Sequence, residues 1–93
     1  MASLTIQAAN VEAVRHIIES ALSKETALLQ TGLEKTKARI THFEQRYNCS
    51  LQELMASGRE IDDIDLVEWE GETEILSHLN DRLKQIDELE ICT

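Results

Sequence analysis

From Val11 to Tyr47 apolar side chains recur at spacings of three, four and seven: Val11, Val14, Ile18, Leu22, Leu29, Leu33, Ile40, Phe43 and Tyr47, with Thr26 and Thr36 filling the gaps. That spacing puts them on one face of an α-helix, and Asn10 before the first of them is a good N-cap. The spacing therefore predicts one helix over residues 11–47, roughly 55 Å long at 1.5 Å per residue and far longer than the average globular helix. Only an extended partner helix can cover such a stripe. Gly32 lies inside it at a cost of about 1 kcal/mol relative to Ala, which predicts either a slight bend or a close helix crossing there.

The pattern breaks at YNCSLQELMASGREI, residues 47–61. Ser50-Leu51-Gln52-Glu53 has the S-x-x-E form of a capping box, and Gly58 suits the left-handed residue that closes a helix, so a short helix over 51–57 is expected. The chain reverses here. Beyond it, Leu66, Trp69, Thr73, Leu76, Leu79, Leu83 and Ile86 form a second helical stripe over about 65–88, with Asp62, Asp63 or Asp65 as its cap. Two long amphipathic helices joined by a short one predict an all-α antiparallel hairpin, a single domain over residues 1–93. At the two ends, residues 3–7 and 89–93 alternate apolar and polar; the hairpin brings them together, either as a tiny strand ribbon or as frayed termini.

Composition narrows the class without changing this picture. The 93 residues hold no Pro, three Gly and one each of Trp, Tyr and Phe, a balance suited to long helices. A chain this short buries only about 60–65% of its unfolded surface, so its core is marginal alone. The first stripe also outlasts the second helix, which predicts a homodimer that completes a helical bundle or coiled coil. The start MASLTIQAANVEAV has neither the basic nor the apolar region of a signal peptide, and no apolar run reaches 18 residues, so a cytoplasmic location is expected. In that compartment Cys49 and Cys92 are expected as thiols.

Charge divides the chain in two. Of the formal −9, residues 1–47 contribute +1 and residues 48–93 contribute −10. Such a field repels nucleic acid and favours a basic protein surface. Known chemistries find little purchase here. His16, His42 and His78 form no H-x-x-x-H or H-E-x-x-H pair, D-D-I-D lacks the spacing of a calcium loop, and no Gly-rich phosphate loop occurs. No metal, cofactor or enzymatic activity is expected.

The acids concentrate in EIDDIDLVEWEGETEIL, residues 60–76, which contain no basic residue. Asp62, Asp63, Asp65 and Glu68 suit a helix start, where the macrodipole favours negative charge by a few tenths of a kcal/mol to about one each. Glu70, Glu72 and Glu74 lie past the first turn and repel one another, so something outside the helix is expected to compensate them. Trp69, among these acids, is read either as a core residue packed near Phe43 or Tyr47 or as an interface anchor. Gly71 beside it leaves a gap on the helix surface.

The series Phe43-Glu44-Gln45-Arg46-Tyr47, Ser50-Leu51-Gln52-Glu53, Asp62-Asp63-Ile64-Asp65 and Glu68-Trp69-Glu70-Gly71-Glu72 before a Leu-rich helix resembles small helical antitoxins of bacterial and archaeal toxin–antitoxin modules. The resemblance covers roughly residues 33–92 and implies an inhibitory protein partner. Many antitoxins also carry a DNA-binding segment; this chain has no basic N-terminal arm or clear helix-turn-helix, which sets it apart from self-repressing ones. The expected function is therefore neutralisation of a basic toxin or nuclease by occlusion. Asp62, Asp63, Asp65, Glu68, Glu70 and Glu72 would supply the charge and Trp69 the desolvated contact area. The alternative is a structural or adaptor module whose helices self-associate.

Overall fold

The computed structural model describes residues 2–92. Helix α1 spans Val11–Tyr47, α2 spans Leu51–Ser57 and α3 spans Asp63–Asp87, flanked by two short strands, β1 (Ala2–Thr5) and β2 (Leu89–Cys92). The first two helices have the bounds expected from spacing; α3 starts two residues earlier than expected because Asp62 is the residue that caps it. Asp62 accepts hydrogen bonds from the backbone N–H groups of Ile64 and Asp65 at 2.8 and 3.4 Å.

Each helix end is closed by a residue suited to it. Asn10 accepts from the Ala13 N–H at 3.1 Å, satisfying one of the orphan donors of α1. At the far end Asn48 adopts φ 57° and donates back to the Glu44 carbonyl. Ser50 and Glu53 form the full reciprocal capping box of α2, at 3.1 and 3.4 Å. Gly58 closes it at φ 70°, a conformation that a side chain would strain. The Arg59 guanidinium then reaches back to donate to the Tyr47 carbonyl at 3.0 Å, tying the loop after α2 to the end of α1.

α1 and α3 pack side by side over the length of α3, and the whole measures 62 × 21 × 17 Å. All nine apolar positions of the α1 stripe are buried or half-buried, as are Leu66, Trp69, Leu76, Leu79, Leu83 and Ile86 of α3. Gly32 does not mark an unusually close crossing within the hairpin: a Cβ placed there would make an ordinary contact, 3.7 Å from Leu79 Cδ1. The fully buried core is nevertheless small and lies at one end, where α2 folds over the helix pair. Phe43, Leu54 and Trp69 form it, with Tyr47, Cys49, Leu51 and Ile61 packed around them.

At the other end the two strands pair in parallel, Ala2 with Leu89 through Thr5 with Cys92. β2 runs on from α3 and β1 runs the same way, so residues 6–10 must turn back to enter α1. Thr93, included in the strand expected from alternation, lies outside the described residues. α3 ends beside Thr26, leaving about the first four turns of α1 with no helix opposite. Among the described residues no helix is long and apolar enough to cross a membrane.

Candidate functional site

The acids of α3 do not form one surface. A helix turns 100° per residue, and this sorts the stretch after Asp62 into four roles. Asp62 caps. Asp65 lies four residues before Trp69, on the inward line, and is 9% exposed. There it accepts a 2.5 Å hydrogen bond from the Tyr47 hydroxyl and faces Arg46 Nη1 at 3.3 Å. Sharing its proton with the Asp65 carboxylate, and then partial burial, hold the Tyr47 phenol above its usual range. Asp65 is thus compensated within the hairpin.

Trp69 is likewise internal. Its ring stacks between Phe43, at 5.5 Å and 13°, and Tyr47, at 5.8 Å and 25°, and is 1% exposed. The core reading therefore holds. Packing against two aromatic neighbours leaves the ring almost no exposed area to offer a partner.

Glu68 and Glu72 face a groove between α1 and α3. Its walls include Ala38 and His42 on one side and Gly71 and Ile75 on the other, with Phe43 beneath, and it encloses about 630 Å³. Arg39 Nη1 bridges to Glu72 Oε1 across it at 3.3 Å. Glu72 Oε2 is buried with no hydrogen-bond partner among the described residues.

The remaining acids share one line. Asp63, Glu70, Glu74 and Asp81 follow at steps of seven, four and seven and are all exposed; the first three lie on the outer flank of α3 away from the groove, and Asp81 lies farther along, at the rim of a second hollow that Glu25 and Leu29 of α1 also line. Among the described residues no Lys or Arg pairs with any of the four; only His78 approaches, at 3.7 Å from Glu74. Sequence reasoning named Asp63 and Glu70 but not Asp81, which lies outside the dense acidic stretch; the signal for it was the seven-residue step from Glu74. Exposed Val67 lies beside this line, four residues before Gly71.

No described group of three or more His, Cys, Asp or Glu side chains is placed to hold a metal ion. The three histidines are all exposed, and Cys49 is a half-buried free thiol whose sulfur lies 3.6 Å from Arg59 Nη1. What the surface offers is uncompensated charge. The chain matches no family model, no curated protein and no solved structure.

Proposed function

We propose that the chain is a binding protein that holds a basic protein on the outer flank of α3 and inhibits it by occlusion, as the antitoxin resemblance implies. The observation that supports this is the line Asp63, Glu70, Glu74 and Asp81, exposed and without a Lys or Arg partner among the described residues. Arg39, Arg46 and Arg82 are each within 4.0 Å of an acid, and none of those acids is on this line. Four like charges along one helix flank repel one another in the free chain, and a basic partner turns that cost into attraction. Asp62, Asp65, Glu72 and Trp69 contribute by building the hairpin that presents the line, and Glu68 belongs to the groove face.

The test uses Asp63→Asn, Glu70→Gln, Glu74→Gln and Asp81→Asn together. Helicity should be unchanged and thermal stability unchanged or slightly raised, because repulsion is relieved. The wild-type chain should retain a basic partner from its source cells that is released as the Debye length falls from about 10 Å at 0.1 M salt to about 3 Å at 1 M. The variant should retain none, and should fail to relieve growth inhibition when that partner is expressed with it. A partner held equally by the variant would overturn the reading.

A further inference from the structure

The groove belongs to a longer apolar face that the acidic flank does not use. On α1, Leu28 lies eleven residues before Arg39 of the groove wall and Ile17 eleven before Leu28. Eleven residues are close to three full turns, so these three side chains stand in one line. On α3, Ile64 lies eleven before Ile75 and reaches it through Glu68 and Gly71, both in the groove wall. Ile17, Leu28, Ile64 and Ile75 are 64, 69, 68 and 45% exposed. Leu28, Ile64 and Ile75 are thus aligned on the groove face of the hairpin and left in solvent, and Ile17 continues the α1 line beyond the end of α3.

The whole surface carries the same message. A folded monomer of this mass exposes about 5,500 Å², whereas this chain exposes 6933 Å², roughly 1,500 Å² more. That excess falls within the roughly 1,000–2,500 Å² that each copy buries in an obligate dimer. Charge then selects the occupant and its orientation. Beside the groove the α1 edge carries Lys35, Arg39 and His42 and the α3 edge Glu68 and Glu72; farther along the face the signs reverse together, with Glu25 on α1 and Arg82 on α3. A two-fold axis along the helices sets α1 of each copy over α3 of the other, so that opposite signs meet at each level. An axis across the helices would set α3 on α3 and oppose acid to acid.

We infer that the groove face is the interface of a two-fold homodimer in which α1 of one copy packs on α3 of the other. Ile75 of the second copy enters the groove where Ala38 and Gly71 keep its walls low. This interface lies on a different face from the acidic flank and stands whether or not that flank has a basic partner.

Sedimentation velocity between about 1 and 100 µM should show a species of twice the 10.6 kDa chain mass. Leu28→Glu and Ile75→Glu, both at exposed positions of the single hairpin, should keep its helicity yet weaken dimerisation by about 100-fold or more. Glu74→Gln, on the acidic flank, should leave dimerisation unchanged. With Cys49 and Cys92 replaced by Ser, His42→Cys in one copy and Glu68→Cys in the other should cross-link through a short bismaleimide. A monomer throughout, or a dimer indifferent to both Glu variants, overturns the interface; cross-linking of position 42 to 42 or 68 to 68 in place of 42 to 68 overturns its orientation.

Discussion

The two ends of one hairpin are built on different terms. At the closed end, the only Phe, Tyr and Trp of the chain meet within two turns of α1 and the first turns of α3, under Leu54 of α2. There the helix ends are capped, Arg59 ties the loop to Tyr47, and Asp65 satisfies the Tyr47 hydroxyl. At the open end no residue of α1 from Val11 to Leu33, and none of α3 from Glu70 to Ile86, is fully buried. The same pair of stripes thus gives a core where a third element closes over it and a half-covered seam where none does. Stability should differ accordingly, with the open end opening locally at lower free energy than the closed end.

The largest test of that difference is Trp69→Ala. Removing a buried Trp that stacks on two rings should cost about 3–5 kcal/mol, a large part of the whole stability of a domain this small. Leu83→Ala, at a half-buried position of the open end, should cost clearly less, about 1–2 kcal/mol. Urea unfolding of the two variants measures both, and equal losses would remove the contrast between the ends.

Much of the contrast was legible in the sequence, and its limits have physical causes. Spacings of three, four and seven found the inward stripes because burial at a helix–helix seam is periodic. Ser50, Gly58 and Asn10 were readable because capping is local chemistry. The position of Asp65 was harder. Its acidic neighbours suggested a surface residue, yet it lies four residues before Trp69 on the buried line, and its partners Tyr47 and Arg46 make a carboxylate there tolerable. The parallel direction of the two strands was not legible either, since alternation reports exposure and carries no direction. Ile17, Leu28 and Ile75 escaped notice because they fall outside the inward stripe, and a single-hairpin reading has no place for a second one.

The next largest effect sharpens the account of the closed end. Tyr47→Phe removes a hydrogen bond to a carboxylate and leaves Asp65 with Arg46 alone, which should lower the melting temperature near neutral pH. The phenol is held above its ordinary value in the folded chain, so its contribution is fully present below the unfolded value of about 10 and is lost as pH rises through the folded one. The difference in melting temperature between wild type and Tyr47→Phe should therefore be flat up to about pH 9 and shrink above about pH 10. A difference that stays constant up to strongly alkaline pH would mean that the Asp65 contact contributes little.

The smallest effect compares the two helical glycines, one at the closed end and one where the seam begins. A Cβ at Gly71 would meet no atom within 4 Å, and one at Gly32 would meet Leu79 Cδ1 at 3.7 Å, an ordinary contact. Both alanine variants should gain from helix propensity, by about 0.5–1 kcal/mol each. Gly32→Ala should gain slightly more, because its methyl also covers part of Leu79. Gly71→Ala has nothing in the single hairpin to cover, so its gain measures propensity alone. Thermal melts of the monomeric Leu28→Glu background isolate these gains from any second copy in the groove. If Gly32→Ala proves destabilising there, the helices approach more closely at that crossing than the hairpin shows, and the open end is less loosely built than its exposed side chains indicate.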